Sequence, residues 1–412
     1  MNETKIDPND LITNLTVEEL CKTAEDYYAN IKDFTFHMAK PFGGIMETPD
    51  LLYKMSLLIS GLRLGQSMTV LDFGAGTCWF SRFLNQMKCA TISVDPSETA
   101  LRIGVELFKQ LPVIGGSVSP PRFLLFNGHQ IDLPDESVDR IVCFDVFHHV
   151  PNTEEVLHEL FRVLRPGGVI GFSEPGRFHS QSNQSQFEMR NFTVLENDIR
   201  LDEIKPMAEA IGFRDLRIKM VHPIEPDLDY DDYMKLSGRK LLNLKNWNII
   251  TSRIREASTN STVFFFTKGP FVYDSRSHIG LSHHIEVLEH SNYGKVNEPV
   301  DIKIRITNNG ISKWLNRNVN DIGVVKVGVH LYDSEDSLID LDFARSTLEE
   351  CVLPGHSVTT RISLIFPKSG SYILKIDLVA ERISWFEHLG SQPKIINIRI
   401  EDSGMGLPVN NS

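Results

Sequence analysis

No stretch of this sequence approaches the roughly 18 consecutive apolar residues that a membrane-crossing helix needs, and no block rich in Lys and Arg stands out. The first absence argues against membrane insertion. The second, with 42 basic against 54 acidic residues and a net charge of −12, argues against an electrostatic grip on nucleic acid. Cysteine is scarce and unpaired in pattern. Cys21, Cys78, Cys89, Cys143 and Cys351 form no C-x-x-C motif, and Cys78, Cys89 and Cys143 lie in or beside apolar segments. They read as small core residues of a reduced compartment, so a cytoplasmic location is expected. The opening residues MNETKIDPND are polar and acidic, unlike a secretory signal.

What is present is enough apolar residue for two cores in 412 residues. Thr16-Val-Glu-Glu19 is a capping-box pattern that starts a helix running to about residue 30. Thr48-Pro49 opens a second helix, with Pro at its first position. The glycine-bearing stretch FHMAKPFGGI (36–45) connects them, and residues 1–65 read as a helical cap.

From Thr69 short apolar strands alternate with amphipathic helices. Strands are expected at 69–73, 91–95, 122–126, 140–145, 168–173, 215–221 and 261–268. Helices are expected at 78–87, 98–110, 153–164 and 203–212. This alternation implies βαβ units and a parallel, Rossmann-like α/β sheet over residues 66–269. Residues 223–260 are too long for a hairpin and read as an inserted helical segment. After Pro270 the helical signal disappears. The segments 301–306, 324–332, 361–366, 372–380 and 395–400 alternate with period two between turn signals, which predicts an antiparallel β-sandwich of about seven strands over 270–402. Residues 403–412 read as a flexible tail.

Chemistry concentrates in the first of these regions. VLDFGAGTCW (70–79) is a strand running into a glycine turn and a helix, where Gly74 and Gly76 let the backbone approach a ligand closely. It departs from the dinucleotide fingerprint, because Trp79 fills the third glycine position. Asp95 closes the next strand, where a carboxylate can accept both hydroxyls of a ribose. Together the two features are far more specific than either alone.

LDFGAGTC, ISVDPS, NGHQIDLPDESVDRIV and FDVFHHVPNTEEVLHELFRVLRPGGVI, in this order and spacing, resemble the class I S-adenosylmethionine (SAM)-dependent methyltransferases over about residues 68–222. The resemblance implies SAM as cofactor, with Asp72, Gly74 and Gly76 at its methionine end and Asp95 at its ribose. It implies that Gly128, His129 and Gln130 flank the adenine, although the family commonly has Asp where this chain has His129. Asp145 and the pair His148-His149 would follow the fourth strand beside the reactive methyl group. Ligands of open parallel sheets bind at the carboxyl ends of the strands, and GFSEPGRFHSQSNQS (171–185) is such an end. It begins as a buried strand and turns abruptly polar. Its EPG-x-x-HS run resembles a methyltransferase subgroup found among bacterial surface-polysaccharide genes. That likeness implies an acceptor pocket lined by Glu174, His179, Ser180, Ser185 and Glu188. His179 or Glu174 would serve as general base for a hydroxyl, with His148 and His149 as the competing choice.

No H-x-E or C-x-x-C spacing supports a metal site, and none is expected. VKVGVHLYD, LPGH and FPKSGSYILKIDLVAERISWFE resemble immunoglobulin-like sandwiches attached to bacterial polysaccharide-export proteins. Trp314, Trp385 and Phe386 could stack on a sugar or fill the sandwich core, and a sandwich edge could pair with a second copy or a partner. The expected activity is therefore O-methylation of a sugar or glycan. The alternatives are methylation of a small natural product and a non-catalytic SAM-fold scaffold whose sandwich does the binding.

Overall fold

The computed structural model describes residues 5–221, 230–231, 234, 251–252, 255 and 259–402. Apart from those isolated positions, the expected helical segment 223–260 lies outside the described residues, as does the expected tail 403–412. The chain divides into two compact units, one of residues 1–64 and 68–271, the other of 65–67 and 272–412.

In the first unit the elements run α1 (Pro8–Asn14), α2 (Val17–Ala29), α3 (Thr35–Met38), α4 (Thr48–Leu62), β1 (Thr69–Phe73), α5 (Trp79–Gln86), β2 (Ala90–Asp95) and α6 (Glu98–Gln110). They continue with β3 (Arg122–Leu125), β4 (Val138–Phe144), α7 (Thr153–Val163), β5 (Leu164–Pro175), α8 (Asn183–Phe192), α9 (Leu201–Ile211), β6 (Phe213–Lys219) and β7 (Ser261–Lys268). The capping box at α2 forms as expected: the Glu19 amide donates to Thr16 Oγ1 and the Thr16 amide to Glu19 Oε2, at 3.2 and 2.8 Å.

The strands make one sheet in the order β3-β2-β1-β4-β5-β7-β6. It is mixed, which corrects the expectation of a parallel sheet. β7 runs antiparallel between β5 and β6. A strand inserted there needs no crossover helix to return in parallel. β1 and β4 are buried almost throughout, the pattern of strands covered on both faces. Helices α7 and α9 bury Val156, Leu160, Ile204 and Ala208 on one face of the sheet. On the other, Leu58 and Leu62 of α4 pack with Val70, Val142 and Phe265. The helix read as part of a cap is thus one of the layers that cover the sheet.

Because β1, β2, β4 and β5 are parallel, their carboxyl ends share one edge. Gly74 turns the chain there with φ +68°, and an added Cβ would stand 1.9 Å from Val146 Cγ2. Gly74→Ala combines a left-handed backbone, costing about 1–3 kcal/mol, with a direct clash. Thermal unfolding should show a lowered Tm for this variant, with SAM affinity falling alongside it.

In the second unit β8 (Tyr273–Asp274), β9 (His283–His290), β10 (Tyr293–Lys295), β11 (Pro299–Asn308), β12 (Ser312–Lys313) and β13 (Val325–Asp333) are followed by β14 (Leu338–Thr347), β15 (Ser357–Ile365), β16 (Gly370–Ala380), β17 (Ser384–Trp385) and β18 (Lys394–Glu401). One sheet has the order β10-β18-β16-β13-β14, with β17 on β16; β15-β11-β9 form a second, and β12-β8 a short pair. Residues of the two larger sheets, among them Ile304, Val327, Ile362 and Ile376, share one core. The strands outnumber the seven expected, and β10-β18 and β12-β8 pair in parallel. Of the strands not expected, β8, β10, β12 and β17 are short and β14 carries exposed apolar positions, so period-two alternation fails to mark them. Trp314 and Phe386 are fully buried in this core. That removes them as sugar-stacking residues. Trp385, the last residue of β17, is only partly buried. Its ring meets His330 at 4.2 Å and the Arg345 guanidinium at 4.2 Å.

Candidate active site

A cavity of about 620 Å³ opens at the shared edge of the first unit's sheet. Its floor is the turn after β1. The Gly74 and Ala75 amides donate to Val94 O at 2.8 and 3.0 Å, which ties that turn to the end of β2. Asp95 there is 5% exposed and lines the cavity. Its carboxylate accepts the Gly76 amide at 2.7 Å and the Ser97 amide at 2.9 Å. Burial pushes its pKa up to about 6 against those two hydrogen bonds. A Cβ on Gly76 (φ +51°) would stand 2.8 Å from the Tyr28 hydroxyl, so only glycine leaves this corner open.

Helix α2 closes the cavity from above, through Leu20, Cys21, Ala24, Tyr27 and Tyr28. Glu25 anchors it. Its carboxylate accepts the Ser97 hydroxyl at 2.7 Å and the Thr99 amide and hydroxyl at 3.0 and 2.6 Å, at the start of α6. No local pattern marks Glu25, because only the packed helices bring it to Ser97, 72 positions along the chain.

Asp72 does not line the cavity. It is buried beneath the turn, where it accepts the Ser81 hydroxyl at 2.7 Å, and Ser93 Oγ bonds Ser81 Oγ in turn at 2.7 Å. Burial pushes its carboxyl up to about 7. That value lies above the unfolded pKa of about 3.9, so the folded state retains the proton between the two. The stability linked to this group is complete below about pH 4 and is lost as pH rises to about 7. Asp72→Asn abolishes the titration. Urea unfolding should therefore shift in the variant's favour over that window, by up to about 4 kcal/mol, and a pH-independent difference would refute the account.

Gly128 lines the cavity, but His129 and Gln130 do not. His129 bridges Glu155 at 2.8 Å and Glu18 at 3.2 Å on the exterior, and those bonds raise its pKa. Gln130 is exposed. Asp145, left-handed at φ 49°, does line the cavity, 3.6 Å from Lys54 Nζ. Burial raises its carboxyl and Lys54 opposes the rise.

The opposite wall is a histidine cluster. His148 and His149 end a 3₁₀ turn (Phe147–His149) after β4, and His179 begins another after β5. All three line the cavity, with ring centroids 3.9 Å apart for His148–His149 and 4.9 Å for His148–His179. Burial drives His148 and His149 down to about 4, so both are neutral imidazoles at pH 7. Glu196 stands among them, 2.5 Å from His179 Nε2, 3.9 Å from His148 Nε2 and 3.7 Å from His149 Nδ1. Burial would raise its pKa, but the hydrogen bond with His179 holds it below the usual carboxylate range. Glu196 is not among the residues expected at the site from the sequence. It lies between α8 and α9 in a stretch without regular structure, so no periodicity marks it.

Glu174 is fully buried behind this wall and off the cavity. Its carboxylate accepts the Val146 and Phe147 amides at 3.2 and 2.9 Å and meets His148 Nδ1 at 2.8 Å. Burial pushes it up to about 7. A group so enclosed orients His148 and cannot reach an acceptor, so it is a positioning residue rather than a base. Glu188 lines the cavity from α8, while Ser180 and Ser185 are buried behind it. Ser185 Oγ lies 3.3 Å from His179 Nε2.

Residues 71–172 match a family model described as a methyltransferase domain. Over 123 residues the chain is 33% identical to the ubiquinone/menaquinone biosynthesis C-methyltransferase UbiE of Salmonella arizonae, covering 28% of this chain and 46% of that protein. The chain thus spans about half the length of the curated relatives it matches. Among solved structures it is similar to a Haloferax volcanii putative methyltransferase in complex with the Trm112 methyltransferase activator, at 14% identity and TM-score 0.39 over 61% of this chain and 99% of that one. A Haemonchus contortus phosphoethanolamine N-methyltransferase 2 gives 16% identity and TM-score 0.43, over 62% and 61% of the two chains. The first unit thus holds, over residues 71–172, the stretch that matches a methyltransferase domain. Among the described residues no helix is long and apolar enough to cross a membrane.

Proposed function

We propose that this chain is a SAM-dependent methyltransferase that methylates a hydroxyl of a sugar or glycan in surface-polysaccharide assembly. One observation carries the proposal: a single cavity joins the glycine turn and Asp95 to the histidine wall. The residues fit the cofactor, since Gly74 and Gly76 keep space that any side chain would fill and Asp95 presents a carboxylate to it. Bound there, SAM supplies an electrophilic methyl group with a good leaving group. The protein's part is to align the acceptor and take its proton. His179 lines the cavity and is held by Glu196, so its imidazole is the proton acceptor best oriented for a hydroxyl. His179→Ala should cut turnover roughly 10²–10⁴-fold with little change in SAM affinity. A normal turnover number would move the base to His148 or His149.

The second unit is read as an immunoglobulin-like sandwich, with Trp385 as its one remaining glycan-contact candidate among the three aromatics singled out. The five cysteines are free thiols, in keeping with a cytoplasmic enzyme. A second reading, a small-molecule acceptor, is supported by the likeness to the UbiE enzyme. Incubating the protein and methyl-labelled SAM with separated extracts of the source cells distinguishes them. Label in the polysaccharide or nucleotide-sugar fraction supports the glycan acceptor. Label confined to small apolar metabolites overturns it.

A further inference from the structure

We propose that His148, His149 and Glu196 form a binding site for a divalent transition-metal ion, of the zinc class, at the acceptor end of the cavity. Each of the three offers one ligand atom, and these atoms lie within 4.8 Å of one another. Ligand atoms about 2.0–2.1 Å from a tetrahedral ion stand roughly 3.3 Å apart, so a shift of about an ångström closes the set. Two imidazoles with one carboxylate favour Zn²⁺ and its first-row neighbours over Mg²⁺ or Ca²⁺, which take oxygen ligands.

The groups around the three are those of an organised ligand set. Metal-binding histidines present one ring nitrogen to the ion and give the other to a carboxylate or carbonyl, which sets tautomer and orientation. His148 does this with Nδ1 on buried Glu174 at 2.8 Å, leaving Nε2 on the Glu196 side. His149 Nδ1 faces both Leu195 O at 2.6 Å and Glu196 Oε1 at 3.7 Å. The Glu196 carboxylate is itself held by His179 Nε2 at 2.5 Å. Spacing along the chain concealed the set, since 46 residues separate the 3₁₀ turn from the loop that carries Leu195.

What the ion would do rests on the reading of this cavity as a methyl-acceptor pocket. An acceptor hydroxyl on the ion ionises more readily. Its proton passes to His179 and then to solvent. The oxygen forms a bond to the methyl carbon as the carbon–sulfur bond breaks, giving the methyl ether, S-adenosylhomocysteine and one proton.

The test uses untagged full-length protein stripped with chelator, then titrated with Co²⁺ as a visible-absorbing probe and with Zn²⁺. Saturable uptake with the d–d absorption of a low-symmetry imidazole site is expected, abolished in Glu196→Gln and weakened about 10–100-fold in Glu174→Gln. Absence of that absorption, or equal uptake by Glu196→Gln, overturns the proposal. Should the Glu196 variant fail to fold, X-ray absorption at the zinc edge of the wild type decides. Imidazole scattering is expected, and a shell of oxygens alone would reject the site. Asp95→Ala serves as the separating control, because it should take up the ion while losing SAM. SAM binding without ion uptake removes this site and spares the methyltransferase reading. Ion uptake without SAM binding does the reverse.

Discussion

Asp95→Ala should lose SAM binding by about 10²–10⁴-fold in calorimetry. The carboxylate is the acidic group at the end of β2 that lines the cavity beside the glycine turn. Hydrogen bonds from a ribose diol to an ionised acceptor contribute about 1.5–3 kcal/mol each, and alanine removes both. It also frees the Gly76 and Ser97 amides that the carboxylate now accepts, so the turn itself loosens. Asp95→Asn, which keeps one acceptor oxygen, should fall between wild type and alanine. Unchanged affinity in Asp95→Ala would remove the cofactor assignment altogether.

Glu174→Ala is expected to be the most destabilising of the substitutions considered, at about 3–5 kcal/mol in urea unfolding of the first unit. The side chain is wholly buried and meets the Val146, Phe147 and His148 amides together with His148 Nδ1. Truncation leaves those donors without an acceptor where water does not replace it, and buried unpaired polar groups are costly. Turnover should collapse with stability, because the 3₁₀ turn that carries His148 and His149 hangs on this carboxylate. Glu174→Gln should recover part of the stability through its carbonyl oxygen while still misorienting His148. An alanine variant as stable as wild type would mean that the turn holds itself.

The difference between what was legible and what was not follows from range. The glycine turn, the strand end at Asp95 and the helix start at Thr16 depend on residues within one or two turns of chain. Local spacing therefore marked them. Glu174 was read as a base because its type and its place at a strand end are those of one. Only packing against the 146–148 turn shows that the carboxylate points into protein. His129 was placed near adenine by position, yet Glu18 and Glu155, distant in sequence, draw it to the exterior. Trp314 and Phe386 could by sequence stack on a sugar or fill the sandwich core, and only the packing of the second unit decides for the core.

The sequence by itself determined the alternation of strands and helices, the switch to period-two strands after Pro270, the glycine turn and the acid at Asp95, since each is a local consequence of side-chain size, charge and backbone freedom. The tertiary structure alone decided that β7 enters the sheet antiparallel, that Glu25 fastens α2 over the cavity and that Glu196 joins three histidines. The reason is physical. Those arrangements come from burying apolar faces against partners tens of residues away, and the polar groups meet where that burial leaves them.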